Sequence, residues 1–273
     1  MPSPDQLLAG LRTIVRRFVP VGVQKRLTRI VQCPWVGRAI GRLYGDLLPT
    51  SGFHIDVSAP AIRPETKAAL FWGMYESAEI RCVTRHLSPH FDAVDLGSSL
   101  GVIACHIHGR LAPGRRIVCV EADPVLCEAA RSNLRRNAAD RSVIVLNRAI
   151  HYGGDTRRVR FAAGGNSTTG SVRADGGYGA TVEVPASTLS EVLAATGITP
   201  PYALFADIEG AEAGIVMEDG LALLGCQQII AELHGTRHRD QTLSPDEIAN
   251  QIETRHGLRQ TARDGGVWVF ERP

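Results

Sequence analysis

The side chains of this protein best placed to do chemistry stand at the ends of short apolar runs. Phe91, Val94 and Leu96 make one such run, which reads as a buried strand. It carries Asp95 near its end and turns through Gly97, Ser98, Ser99 and Gly101. Leu100, Ile103, Ala104 and Ile107 then repeat at helical spacing. A strand, a glycine turn and a helix N-terminus make a nucleotide-sized site. Glycine lets a ligand approach the backbone, and the first N–H groups of the helix favour anionic groups. About twenty residues on, a second run, Ile117–Val120, ends in Glu121, where a carboxylate can accept hydrogen bonds from both hydroxyls of a ribose.

That pattern admits two cofactors. A dinucleotide site wants G-x-G-x-x-G, so that the second glycine seats the pyrophosphate on the helix. Ser99 stands where that glycine should be, and Asp95 would repel a pyrophosphate. A cofactor with a ribose and a cationic sulfonium–amino-acid end, without phosphate, suits the turn better. S-adenosylmethionine is that molecule. An αβ turn that binds nothing is the plain alternative.

Two more apolar runs end in polar groups. Tyr202–Ala206 is followed by Asp207, Glu209 and Glu212, and Gln228–Leu233 carries Glu232 before His234. Each acid alone could be a helix cap. In an open α/β sheet, however, ligands bind beyond the carboxyl ends of the strands, and four such ends here carry polar groups.

The elements that must position these residues alternate regularly. Strands at 91–96, 116–121, 143–146, 202–206 and 228–233 are separated by helical patterns at 100–110, from Pro124, at 187–196 and at 211–224. Ser187 is the expected cap of the third of these helices and Gly197 its stop. A helix at 245–255 precedes a hairpin of 258–261 and 267–270, turning at Asp264, Gly265 and Gly266. Alternation of this kind predicts a parallel sheet with helices on both faces. Between the third strand and a short strand at 182–184 lies a long insertion, 151–178, holding GGNSTTGS at 164–171. Its length suits a lid or substrate loop.

Ahead of this domain, 65–87 reads as one helix. Glu76 and Glu79 on it read either as intrahelical ion-pair partners of Arg81 and Arg85 or as acids at the site. The proline-bearing stretch 49–65 reads as a linker. Residues 1–50 form basic amphipathic helices, with Leu7, Leu11, Phe18 and Leu27 on apolar faces among Arg12, Arg16, Arg17, Lys25 and Arg26. Such helices cover a neighbouring domain or subunit, or lie on an anionic membrane surface. The expected division is a helical arm and linker, 1–64, and a catalytic domain, 65–273.

The bulk composition narrows the class. The chain has 273 residues, 44% hydrophobic and 21% charged, with a net charge of +2. That balance gives no nucleic-acid bias. Six cysteines without a C-x-x-C suggest neither zinc nor a disulfide framework. The N-terminal sequence lacks the early charge and apolar core of a signal peptide. A cytoplasmic protein is expected, at most peripheral at the inner membrane surface.

The segments VDLGSSLG, VEADP, ALFADIEGAE and IIAELHG, in this order and spacing, resemble the FkbM family of S-adenosylmethionine-dependent methyltransferases over about residues 75–235. The D-I-E-G-A-E run is the most specific part. The resemblance implies the Rossmann-like class I methyltransferase fold, an α/β protein with a mostly parallel seven-stranded sheet and a C-terminal antiparallel hairpin. It also implies that Asp95, Gly97, Ser98 and Gly101 line the methionine end and that Glu121 holds the ribose. Ala122, Ala149 and Asp207 complete the cofactor-binding set. Many relatives carry G-A-N-x-G in the first turn; Ser98 and Ser99 replace the Ala-Asn pair, so the asparagine contact is missing or made by a hydroxyl.

O-methylation follows from the resemblance, on a hydroxyl of a sugar, glycan or other small-molecule natural product. The sulfonium needs little beyond alignment, whereas a hydroxyl gains from a general base. His234 is the preferred base because an ordinary imidazole accepts a proton near neutrality. Asp207 could serve instead, with Glu232 as the third catalytic candidate. Alternatively Asp207 and Glu232 hold Mg²⁺, which would acidify the hydroxyl. Two other readings compete: an NAD-dependent oxidoreductase, which lacks its middle glycine and a Tyr-x-x-x-Lys pair, and a non-catalytic scaffold that binds a partner or membrane through its basic arm.

Overall fold

The computed structural model describes residues 33–50, 52–138, 143–154, 157–162 and 181–273. The chain divides into two compact units, 1–75 and 76–273. The basic helices expected within 1–32 lie outside the described residues.

The first unit consists of helix α1 (Pro34–Tyr44), strands β1 (Leu47–Thr50) and β2 (Phe53–Asp56), and helix α2 (Pro64–Phe71). The stretch expected to be a linker therefore holds a hairpin, in which β1 and β2 pair antiparallel from Leu47↔Asp56 to Thr50↔Phe53. Leu48 and Ile55 are both fully buried, so burial of these apolar side chains favours strand despite Pro49. Proline is tolerated because a two-stranded ribbon consists of edges. Helix α1 comes so near α2 that a Cβ on Gly37 would lie 1.7 Å from the Pro64 carbonyl oxygen. The helix expected over 65–87 is broken. Helix α2 stops at Phe71 and helix α3 (Ser77–His86) begins afresh, after Gly73 and Glu76 take left-handed backbone, at φ 64° and 43°.

The second unit continues after α3 with β3 (Asp92–Leu96), α4 (Val102–Arg110), β4 (Ile117–Glu121), α5 (Pro124–Asn137) and β5 (Val143–Asn147). Next come β6 (Ala149–Ile150), β7 (Arg158–Ala162), β8 (Thr181–Ser187), α6 (Leu189–Thr196) and β9 (Tyr202–Ala206). The unit closes with α7 (Glu212–Glu218), α8 (Gly220–Leu224), β10 (Cys226–Glu232), β11 (Thr236–His238), β12 (Gln241–Leu243), α9 (Pro245–His256), β13 (Arg259–Asp264) and β14 (Val267–Glu271). Seven strands form one sheet in the order β13-β14-β10-β9-β3-β4-β5. The five strands from β10 to β5 are parallel, and β14 runs antiparallel to both its neighbours. This is the expected α/β architecture, with its terminal hairpin.

The sequence builds the sheet directly. Every residue of β4 and β9 is buried, as expected of parallel strands covered on both faces. Leu96, Val118, Val120, Leu204, Ile229 and Phe270 belong to one core, each side chain contributing roughly 1.5–3 kcal/mol on burial. Asp123 caps α5, accepting from the N–H groups of Val125 and Leu126 at 2.8 and 3.2 Å. Helix α6 is capped by Thr188, in a capping box with Glu191, and not by Ser187, which ends β8. The helix expected over 211–224 is divided at Asp219.

Within the insertion, β7 and β8 pair antiparallel and join β6 in a three-stranded side sheet. The Gly- and Ser/Thr-rich stretch 164–171 lies outside the described residues. Among the described residues no helix is long and apolar enough to cross a membrane.

Candidate active site

In strand order β10, β9, β3 and β4 are neighbours, so the four polar strand ends share one rim. The chain moves outward from β3 through β4 to β5 and then crosses back to β9, which makes β3/β9 the switch point where α/β sheets open a crevice.

On the β3 side the turn is held from below. The N–H groups of Gly97 and Ser98 donate to the Val120 carbonyl at 2.9 and 3.1 Å. Gly97 and Gly101 have φ of 86° and 78°, values that L side chains rarely adopt. A Cβ on Gly97 would also lie 1.9 Å from the Asp207 carbonyl oxygen. Gly97 therefore brings the turn against the loop that bears Asp207. Ser99 takes φ 46°, a left-handed conformation that asparagine tolerates better than serine. Ser98 turns its hydroxyl inward to the Asp95 carbonyl, 3.1 Å away.

Glu121 is buried and doubly anchored. Its Oε2 accepts from the Ser99 N–H at 2.7 Å and its Oε1 from the Asp123 N–H at 2.8 Å. Burial pushes its carboxyl up to about 7, against the pull of those two bonds. A carboxylate oxygen has a second acceptor site, so both can still receive hydroxyls. The Asn147 side chain donates to the carbonyls of Glu121 and Ala122, each at 2.9 Å. It ties the ends of β4 and β5 together.

Asp95 stands apart from this face. It has no exposed surface, and neither carboxylate oxygen has a hydrogen-bond partner. It lies near Cys105 and Cys119, and burial raises its carboxyl to about 7. An unpartnered acid beneath the turn favours a cation nearby. A sulfonium cofactor meets that condition and a pyrophosphate does not. Ala149 is 2% exposed and packs with Val159, Phe161 and Val184, with Ala122 at the border of that cluster.

On the β9 side, the D-I-E-G-A-E segment pins itself. The Glu212 carboxylate accepts from the N–H groups of Ile208 at 2.8 Å and Gly210 at 2.7 Å. Glu209 is left-handed at φ 52°, and Gly210 has φ 103°. A Cβ on Gly210 would lie 2.8 Å from Thr236 Oγ1. The pinned loop sets acids around His234, whose Nδ1 is 3.5 Å from Glu212 Oε1 and whose Nε2 is 3.7 Å from Glu209 Oε2. Ligand atoms of Asp207, Glu232 and His234 lie within 4.8 Å of one another. The three catalytic candidates are thus brought together.

Their electrostatics revise the reason for choosing a base. Glu212, with Asp207 and Glu209, raises the His234 imidazole to about 9, so it is a cation at neutral pH and not a ready proton acceptor. Asp207 is raised to about 8 by burial and by Glu232. Its Oδ1 is buried without a hydrogen-bond partner.

Glu79 belongs here as well. It is 7% exposed and is raised to about 7 by burial and then by Glu232. Arg81, only two residues on and so not facing it along the helix, bonds to Asp264 at 2.6 Å. Sequence reasoning misses Asn147 here; it flags Glu209 and Glu212 with the end of β9 and weighs Glu79 as a helical ion-pair partner or a site acid, without giving any of the three a role. The spacing of acids at 207, 209 and 212 is the signal for the β9 loop; Asn147 offers none.

A model described as the methyltransferase FkbM domain matches residues 95–259. No protein of curated function matches the sequence. Among solved structures, a proposed O-methyltransferase from Klebsiella pneumoniae is 13% identical, with 96% of this chain and 95% of that chain covered and a TM-score of 0.43. A proposed tRNA (m1A22) methyltransferase from Streptococcus pneumoniae is also 13% identical, covering 71% and 68%, with a TM-score of 0.42. A precorrin-6y C5,15-methyltransferase from Geobacter metallireducens is 12% identical, covering 71% and 87%, at 0.38.

Proposed function

The chain belongs to the FkbM methyltransferase family, and from that premise we propose that it methylates a hydroxyl oxygen of a sugar, glycan or other small molecule. The methyl donor of this S-adenosylmethionine-dependent enzyme supplies an electrophilic methyl group on a sulfonium. Glu121 would hold its ribose, and the turn from Gly97 to Gly101 would receive the rest, with the Asp95 carboxyl behind it.

One observation carries the choice of acceptor. Asp207, Glu232 and His234 converge within 4.8 Å beside the cofactor turn, which touches the Asp207 backbone through Gly97. A hydroxyl must shed its proton as it attacks; the His234 imidazolium and the carboxyl groups can orient it, and an ionised carboxylate of the cluster can take the proton. An already neutral amine would need no such array. The oxidoreductase reading has Ser99 at its middle glycine and an unpartnered acid under the turn. Membership in a methyltransferase family displaces both that reading and the scaffold.

The test is transfer of isotope from methyl-labelled S-adenosylmethionine to a panel of simple glycosides, with Asp207→Asn in parallel. Base-stable labelled ether is expected with wild type. The variant should lose at least a hundredfold in turnover while keeping donor affinity within about threefold, because a lost proton acceptor costs 10²–10⁴. Wild-type turnover in Asp207→Asn would remove the cluster from the reaction.

A further inference from the structure

Carboxyl groups crowd around Asp207. Glu232, Glu212 and Glu209 act on it, and His234 is the cation opposing them. Glu79 adds another carboxyl next to Glu232. Meanwhile Asp207 Oδ1 has almost no accessible surface and no hydrogen-bond partner. Buried polar atoms normally find one.

The arrangement around His234 adds a second argument. Metal-bound histidine usually has a carboxylate at its other ring nitrogen, which fixes the ring. Here Glu212 and Glu209 stand at the two nitrogens, at 3.5 and 3.7 Å. Glu212 is itself fixed by two backbone N–H groups. Whichever nitrogen turns to the cluster, a carboxylate backs the other.

We propose that Asp207, Glu232 and His234 form a binding site for one divalent first-row transition ion of the Mn²⁺ class. One nitrogen and two carboxylate oxygens suit such an ion better than Mg²⁺, which keeps to oxygen ligands and several waters. The ion would hold the carboxyl groups of Asp207 and Glu232 in their ionised form and would give the acceptor hydroxyl a Lewis-acidic anchor. Bound to it, His234 is neutral, because a metal ligand must release its proton. This inference rests on the methyltransfer reading for its role, but not for the site itself.

The experiment uses the full chain, stripped with chelator. Mn²⁺ is titrated in and free ion is followed by electron paramagnetic resonance; donor binding is measured separately by calorimetry. One Mn²⁺ per chain with micromolar affinity is expected. Glu232→Gln, nearly isosteric, and His234→Ala should each weaken it at least tenfold, and circular dichroism checks their folding. Asp246→Asn, on the exposed start of α9, should leave it unchanged.

Failure to bind at millimolar Mn²⁺ would overturn the site, as would affinity indifferent to Glu232→Gln and His234→Ala. One-for-one displacement of Mn²⁺ by S-adenosylmethionine would overturn it too, assigning the acidic cluster to the sulfonium. Donor binding and methyl transfer at full rate by stripped protein would sink the metal alone. Mn²⁺ binding without any donor binding would keep the site and sink the methyltransfer reading.

Discussion

Asp95 is a costly residue to bury. Its carboxyl is fully buried without a partner, and burial holds it near 7, while the unfolded chain releases the same proton near pH 3.9. Folding therefore takes up a proton between those values. Stability contributed this way is greatest at low pH and falls as pH rises toward 7. Above 7 the folded chain holds a bare carboxylate away from water. Asp95→Asn keeps the shape and discards the charge. We expect it to raise the melting temperature by about 5 °C at pH 8, given roughly 2–4 °C per kcal/mol for a unit of this size, and by much less at pH 5.5. Thermal melts at the two pH values decide. An equal shift at both would mean that Asp95 is ionised throughout, with a partner of its own. Natural retention of such a residue fits a site that tolerates instability to keep negative charge beside a cationic ligand.

The loop between β9 and α7 works as one device. It places Asp207, turns Glu209 through left-handed backbone toward His234, and clamps itself with Glu212. Gly210 makes the turn possible, since any side chain there meets Thr236 and an unfavourable φ of 103°. Gly210→Ala is expected to destabilise the second unit by about 2–3 kcal/mol and to cost more in turnover than in donor affinity. Gly265→Ala, in the open β13–β14 turn where nothing lies within 4 Å, should cost only about 1 kcal/mol. Urea denaturation of the two variants makes the comparison; equal losses would show that the Thr236 contact is irrelevant. The same contrast explains what could be read from the sequence. Strands β3, β4, β9 and β10 announce themselves because burial on both faces writes continuous apolar runs. The glycine turn and the acid closing β4 are likewise local patterns. Glu79 is different, because it meets Glu232 only once α3 settles beside the strands of a sheet about 150 residues later in the chain. The β1–β2 hairpin was hidden for a simpler reason: Pro49 mimics a linker, although the alternation of Leu48 and Thr50 with Phe53 and Ile55 was already present.

At the scale of the whole molecule, a chain of net charge +2 brings a group of acids to one end of its sheet. Asp95 and Glu121 lie beneath and beside the cofactor turn, and Asp207, Glu209, Glu212 and Glu232 lie across the switch point. Burial raises Glu121 to about 7, so the proposed role of accepting ribose hydroxyls would depend on pH within the physiological range. Above 7 both oxygens are acceptors; below it a proton occupies one of them. Affinity for S-adenosylmethionine should therefore be full at pH 8 and about tenfold weaker at pH 6, since one unit below the pKa leaves roughly a tenth of the group ionised. Glu121→Gln should bind at least tenfold more weakly at pH 8 and show little further loss at pH 6. S-adenosylhomocysteine, which lacks the sulfonium charge, should bind less tightly than the donor at pH 8 and lose the same factor at pH 6, because the ribose is common to both. Calorimetry at the two pH values measures all of these. A pH-independent donor affinity in wild type would show that the Glu121 carboxylate does not hold the ribose. A loss confined to the donor would trace the pH dependence to acids facing the sulfonium.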